Sequence, residues 1–474
     1  MRLSLLEYNK MTYDNNDTIC AISTPPGVGG IAVARVSGPK AIEIVNSLWR
    51  GRPLTEADTH TAHLGTITDS IGRPLDHAVS TVYRSPRSFT GEDVVEISVH
   101  GSRFVQRELL DTLTHAGARL AEPGEFTRRA FTSGRMDLAE AEAVADVIAS
   151  NSRAAHRIAM SQMRGDYSRR LSSLRDRLID LSALLELELD FSEEEVEFAS
   201  RKHLLQIAGD IHSEVTRLHR SFASGAAIKD GIPVAIVGAT NAGKSSLLNA
   251  LIGDERAIVS DIHGTTRDTI EETLEIGDYM FRFIDTAGLR DTTDTIERIG
   301  IDRSHQAIAR ARIVILVTDS TLPADSTLYT RISDCMRTKD TAPAHLIVAL
   351  NKTDLTTPTS QTQYEENPQV SVVKISALTG YGIETLRQTL HDIALRENGN
   401  ADEGILVTNA RHAQALSMAA ASSARILTAM TDGLPGDLIA QDVRETIHHL
   451  SEITGTISTT DILTTIFSRF CIGK

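Results

Sequence analysis

Aromatic residues are scarce at 4 % of the 474-residue chain, Trp49 is the single tryptophan, and cysteine is nearly absent. The three cysteines, Cys20, Cys335 and Cys471, are far apart and odd in number, so they supply neither a disulfide framework nor a zinc-ligand spacing. A reducing compartment, and with it a cytoplasmic location, is expected. No apolar run reaches the roughly 18 to 20 residues of a membrane span, and no basic segment followed by an apolar stretch opens the chain. No membrane partner is expected. Positive charge is short as well: 48 lysines and arginines face 63 acidic residues, for a net charge of −15. That balance excludes a protein that coats nucleic acid through phosphate contacts alone and leaves room only for a local basic patch. What is present is ordinary globular composition, 41 % apolar and 23 % charged, with length for about three domains at roughly 150 residues each.

Residues Met1 to Tyr13 have no periodicity and are expected to be disordered, with Met11 a second candidate start. From Thr18 to about Arg119, short apolar runs alternate with turn signals. Ile31 to Val36, Ala78 to Tyr83 and Val94 to Val99 read as strands of an α+β domain. No proline then occurs between Pro123 and Pro233, and the apolar spacing turns helical. Leu171, Leu174, Leu178, Leu181 and Leu185 form one stripe, and Leu204, Ile207, Ile211, Val215, Leu218 and Phe222 form another. Two long antiparallel helices are expected, the first region running from about Leu138 to Leu189 with Gly165 as an interruption. Between them Glu186 to Glu197 holds seven acidic residues and no basic one, which reads as a solvated acidic turn. Helical spacing returns from Asn409 to Phe470, and a strand-helix alternation fills Pro233 to about Leu395.

That alternation carries chemistry. Val234 to Val237 is a buried-strand pattern running into Gly238-Ala239-Thr240-Asn241-Ala242-Gly243-Lys244-Ser245 and then into the helical Ser246-Leu247-Leu248. This is a phosphate-binding loop in its required setting. Backbone N–H groups close on the phosphates, Lys244 neutralises β- and γ-phosphate charge, and the Ser245 hydroxyl is placed to ligate Mg²⁺. The strand Phe281 to Ile284 ends in Asp285-Thr286-Ala287-Gly288, the carboxylate of which can hold Mg²⁺ through water while the Gly288 N–H senses a γ-phosphate. Leu346 to Leu350 leads into Asn351-Lys352-Thr353-Asp354, where a carboxylate can accept the N1–H and N2–H₂ of guanine, a pattern adenine lacks. Ser376 and Ala377 complete that pocket, so the bound nucleotide is GTP. Thr266, in Ser260-Asp261-Ile262-His263-Gly264-Thr265-Thr266, is the second Mg²⁺ ligand. Leu289 stands where Ras-like proteins carry the water-positioning glutamine, so another group must orient the water. An amide oxygen of Asn241 beside the phosphates is suited to a monovalent cation.

The chain resembles the MnmE (TrmE) family of tRNA-modification GTPases from Asp17 to Lys474. The motifs are Thr24-Pro25-Pro26-Gly27-Val28-Gly29-Gly30, Ser88 to Glu96, Pro123 to Phe131, Gly264-Thr265-Thr266-Arg267-Asp268 and Phe470-Cys471-Ile472-Gly473-Lys474. The resemblance implies a multidomain fold: an N-terminal α+β folate-binding-like domain, an all-α helical domain and an inserted Ras-like α/β G domain. On that reading residues 1–16 are a disordered lead, 17–134 the folate-binding-like domain, 135–228 and 396–474 the helical domain with its C-terminal tail, and 229–395 the G domain. It further implies a homodimer that joins the flavoprotein MnmG in a heterotetramer and acts on tRNA. The reaction adds an aminomethyl or carboxymethylaminomethyl group at C5 of the wobble uridine, with 5,10-methylene- or 5-formyl-tetrahydrofolate as the one-carbon source.

Carried onto this sequence, the family's residues are Glu297 for placing the attacking water, Asn241, Ser260, Ile262 and Thr265 for K⁺, and Arg35, Glu96, Arg135 and Lys474 for folate. Two positions depart from the family pattern: Arg135 stands where lysine is frequent, and His263 where small residues are common. Plainer readings stay open for Arg35 as a surface cation, Glu96 as its strand-face partner, Glu297 as a helix-start charge and Cys471 as a small buried hydrophobe. Against the last, Arg469 and Lys474 favour a Cys471 thiolate with a role in the modification chemistry. Two other functions stay open at this point: a ribosome-assembly or signalling GTPase, and a stand-alone folate-dependent one-carbon transferase.

Overall fold

The computed structural model describes residues 16–190, 201–253, 271–284, 306–323, 329–330, 332, 334, 345–355, 370–398, 405–457, 463, 466–468, 470 and 473. The expected lead, the acidic turn beyond Asp190, the loop Ser260 to Thr266, Asp285 to Gly288, Glu297, Cys471 and Lys474 lie outside the described residues. Two compact units divide the chain: residues 1–148, 160–211 and 421–474 form the first, and residues 149–159 and 212–420 the second.

The first unit opens with strands β1 (Ile19–Ile22), β2 (Ala32–Ser37), β3 (Trp49–Arg50), β4 (Thr61–Thr68), β5 (Pro74–Tyr83), β6 (Val94–Val99) and β7 (Arg119–Leu120), in the order β3-β4-β5-β6-β2-β1-β7. All pairings are antiparallel except β1 with β7. Strict alternation builds the core: Ala34, Val36, Val95, Ile97 and Val99 point to one face and pack with Val45 of α1 (Ala41–Ser47) and Leu109 and Leu113 of α2 (Arg103–His115). The residues between them, Arg35 and Glu96, therefore share the opposite face and are register partners. α2 starts where the Ser102 hydroxyl accepts from the Val105 N–H at 3.1 Å.

Helix α3 (Glu125–Thr132) closes this sheet through Phe126, which packs with Ile19 and Ala21 of β1, and through a buried charge cluster. Arg129, 1 % exposed, donates to Asp17 Oδ1 at 2.5 Å, Glu125 Oε1 at 3.0 Å and Glu92 Oε1 at 3.2 Å, while Arg119 reaches Glu125 at 2.7 Å and Asp17 at 2.7 Å. Burial pushes the Glu125 carboxyl up, yet hydrogen bonds from Arg119, the Glu122 N–H and Arg129 outweigh it and hold the group below the usual carboxylate range. Burial wins at Glu92, which lies above it.

The helical stretch begins with α4 (Leu138–Ala149), α5 (Arg153–Met163), α6 (Asp166–Asp190) and α7 (Arg201–Asp230). A reciprocal box starts α4, with Asp137 Oδ1 accepting from the Glu140 N–H and Glu140 Oε2 from the Asp137 N–H, both at 2.8 Å. The single interrupted region expected from Leu138 to Leu189 is thus three helices. One break falls at Gly165, and the other before Arg153, where the Ser152 hydroxyl accepts from the Ala155 N–H at 3.2 Å and serves as a new cap.

The second unit holds β8 (Ile232–Gly238), α8 (Lys244–Ile252), β9 (Glu272–Ile276), β10 (Tyr279–Ile284), β11 (Ile313–Asp319), β12 (His345–Asn351), β13 (Val370–Lys374) and α9 (Ile383–Asn398). Its sheet runs β13-β12-β11-β8-β10-β9, parallel except for the antiparallel edge strand β9. Runs such as Ile313 to Val317 are buried throughout, as a sheet covered on both faces requires. Helices α10 (Ala410–Thr431) and α11 (Gly436–Thr454) follow. The expected leucine stripe is buried on α6, and in the first unit α6 lies along α11, where Ile439, Val443, Leu450 and Ile453 are buried. Beyond α11, Leu463 and Phe467 join a cluster with Phe131, Leu138 and Ala141. Among the described residues no helix is long and apolar enough to cross a membrane.

Candidate functional site

The loop after β8 turns through backbone conformations that side chains disfavour. Asn241 has φ +61° and Gly243 φ +97°. At Gly243 an added Cβ would lie 2.2 Å from Asn351 Nδ2, so only glycine admits the approach of these two segments. Asn351, buried at the end of β12, spans the site. Its Nδ2 donates to Ala242 O at 2.8 Å, and its Oδ1 accepts from the Ala377 N–H at 2.9 Å. One amide thereby ties the phosphate-binding loop to the loop after β13.

Lys244 opens α8 and donates from Nζ to Gly238 O at 3.0 Å and Ala239 O at 2.8 Å. Burial lowers its ammonium below the usual lysine value, since desolvation disfavours the charged form. Ser245 and Ser246 occupy the first turn of the same helix. Next to Asn351, Lys352 has φ +66° and places Nζ 2.6 Å from Asp319 Oδ2 at the end of β11. Thr353 bonds Ile375 O through its hydroxyl at 2.9 Å, and Ser376 is fully buried, its hydroxyl accepting from the Thr379 N–H at 3.2 Å. Asp354 is exposed and makes no hydrogen bond among the described residues. These groups sit at the C-terminal ends of parallel strands, where α/β sheets place their ligands.

In the first unit Arg35 donates to Glu96 Oε1 from Nε at 2.9 Å and from its terminal nitrogen at 2.8 Å. Its guanidinium lies 5.1 Å from the Phe89 ring centroid and 5.6 Å from that of Phe126. Tyr83 donates to Glu96 Oε2 at 3.4 Å. Gly473 brings the C-terminal segment here: its carbonyl accepts from the Ser23 hydroxyl at 3.0 Å, directly after β1, and Ala21 of β1 is the register partner of Arg35. A Cβ at Gly473, where φ is +98°, would lie 2.3 Å from Ile22 O. Arg135 is exposed, its Cγ close to Gly91. Cys20 of β1 is buried, which pushes its thiol up to about 11 and leaves it inert.

Two family descriptions match: the MnmE helical domain over residues 138–471 and the GTP-binding protein TrmE N-terminus over residues 18–135. The tRNA modification GTPase MnmE of Parabacteroides distasonis is 47 % identical over 466 residues, 96 % of this chain and 100 % of that protein. The chain belongs to the MnmE family of tRNA modification GTPases. The proteins of the same name from Cytophaga hutchinsonii, 46 % identical over 461 residues, and Porphyromonas gingivalis, 46 % over 471, each cover 97 % of this chain and 98 % of their own length. The family carries the multidomain architecture expected from the motifs, an N-terminal TrmE domain and a helical domain around a nucleotide-binding one.

Of the residues singled out by sequence, the structure brings Ala242, Gly243, Asn351 and Ala377 together in one unit and pairs Arg35 with Glu96 in the other. Sequence reasoning missed Asp319, which closes β11 and holds Lys352. It also missed Tyr83, Phe89 and Phe126 around Arg35. Tyr83 was in principle legible, being two residues past Thr81 on the face that Thr81 shares with Glu96.

Proposed function

We propose that this protein hydrolyses GTP and, with the flavoprotein MnmG, modifies C5 of the wobble uridine of certain tRNAs with an aminomethyl or carboxymethylaminomethyl group. The observation that carries the reading is the tie made by Asn351 between the phosphate-binding loop and the Ser376–Ala377 loop, in a chain of this family. Lys244 neutralises phosphate charge, and Asp354 reads the guanine edge. Ser245 and Thr266 are oxygen donors suited to Mg²⁺, which when bound supplies further neutralisation of the β- and γ-phosphates. Asn241, Ser260, Ile262 and Thr265 would hold K⁺, and Glu297 would orient the attacking water in the place left by Leu289. The protein acts as a homodimer in the cytoplasm.

The one-carbon unit comes from 5,10-methylene- or 5-formyl-tetrahydrofolate bound by Arg35, Glu96, Arg135 and Lys474. Calorimetry with 5-formyl-tetrahydrofolate on Arg35→Ala should register at least a tenfold loss of affinity, the size of one charge-assisted bond of about 1.5 kcal/mol. Wild-type affinity in that variant would remove Arg35 from the folate site. Mass spectrometry of tRNA nucleosides from a deletion strain tests the whole reading: the C5-modified wobble uridines should disappear and return on complementation. An unchanged nucleoside profile would refute the assignment.

A further inference from the structure

Lys352 sits between the two residues that read and brace the guanine pocket, and its own conformation is unusual. It is one of three non-glycine residues with positive φ among the described residues, at +66°. A lysine gains nothing from that region by itself and needs surroundings that hold it there. Its neighbours are fixed on both sides: Asn351 by Ala242 and Ala377, and Thr353 by Ile375 O. The ammonium is fixed by Asp319, at 2.6 Å.

Asp319 is itself prepared for this contact. Its Oδ1 accepts the Thr321 N–H at 2.9 Å and the Thr321 hydroxyl at 2.6 Å, which leaves Oδ2 for Lys352. The backbone repeats the link, since the Ser320 N–H donates to Asn351 O at 2.9 Å. Asp319 is the register partner of Asn351 across the parallel pair β11–β12. The Asp319 side chain is 13 % exposed and that of Lys352 33 %, so the pair is shielded enough for the attraction to survive salt.

We propose that Asp319 is a positioning residue for guanine recognition: by anchoring Lys352 in its left-handed turn it sets the direction in which Asp354 leaves the loop and meets the base. The proposal rests on the reading of Asp354 as the guanine selector. In this role Asp319 acts on the base through Lys352, the side chain its Oδ2 holds, and not by a contact of its own. Its loss should therefore weaken binding of GDP and GTP alike and leave the chemical step, which belongs to other residues, to proceed at saturation.

The test is a double-mutant cycle in the full-length protein, read as GDP affinity by calorimetry and as KM and kcat for GTP hydrolysis. Asp319→Asn keeps the side-chain size and the Oδ1 acceptor but removes the charge facing Lys352. It should raise the GDP Kd and the GTP KM about tenfold, with kcat within twofold. Lys352→Met keeps the aliphatic stem without the ammonium, and adding Asp319→Asn to it should cost less than a further twofold. An equal loss in both backgrounds would show that Asp319 works through the Thr321 turn alone and would overturn the proposal, as would unchanged affinity in the single variant. Asp354→Asn is run beside them: if it too binds GDP normally, the guanine-selector reading has failed; if it binds weakly while Asp319→Asn does not, only the positioning role has.

Discussion

Asp354→Asn is expected to raise the Kd for GTP at least about a hundredfold, roughly 2.7 kcal/mol, and to make xanthosine triphosphate the better ligand. In the proposed pocket the carboxylate accepts two guanine donors, N1–H and N2–H₂. An amide presents one of its own donors to one of them, so the loss is a repulsive contact in addition to a missing bond. Xanthine carries a carbonyl where guanine carries the amine, and that carbonyl accepts from the new amide. The structure makes the exchange clean, because Asp354 is exposed and takes no part in the bonds that hold Asn351, Lys352 and Thr353. Thermal stability should stay near that of the native protein. Paired titrations with guanine and xanthine nucleotides decide the matter, and equal GTP affinity in the two proteins would end the base-selector assignment.

Gly243→Ala should be at least as damaging to nucleotide affinity, by a different route, and should also lower stability. The new methyl group would meet Asn351 Nδ2 at 2.2 Å, and the backbone at φ +97° admits alanine only under strain. The side chain that would have to yield is buried and bonded at both ends, so the methyl cannot be accommodated by a swing of a flexible tip. Moving Asn351 releases Ala242 O and the Ala377 N–H together, which separates the loop after β8 from the Ser376–Ala377 loop, the two proposed to hold the phosphates and the base. GDP affinity should fall by more than a hundredfold, with a thermal midpoint several degrees lower for a loss of a few kcal/mol. Retention of native GDP affinity would mean that the two loops do not depend on each other.

The nucleotide loops were legible in the sequence because each is a local pattern: a buried strand, then a fixed spacing of glycine, lysine and hydroxyl. The leucine stripe of α6 was legible for the same reason, its period being a property of one segment. The place of α11 beside it was not. The next helix along meets α6 through Arg177 and Asp210 at 3.7 Å, but α11 also lies along it, and nothing in a local period records all that covers an apolar face. Asp319 was missed because its role depends on β11 and β12 lying side by side in register, a fact of the sheet and not of either strand. The charge cluster of Asp17, Glu92, Arg119, Glu125 and Arg129 escaped likewise: its members are spread from the first described residues to α3 and meet only when β1, β7 and α3 are in place. Helix breaks are weak signals where no proline marks them, and the break before Arg153 rests on a single serine hydroxyl, that of Ser152, capping a new start.

The hydrogen bond from Ser23 to Gly473 joins residues 450 positions apart. A ribosome adding roughly 5 to 20 residues per second needs about 20 to 90 seconds to travel between them. The N-terminal sheet can therefore pair its strands long before Gly473 exists, and the helical and nucleotide-binding parts are made in the interval. The end of β1 thus gains its Gly473 contact only when synthesis is nearly finished, and a chain released early would carry the sheet without that bond.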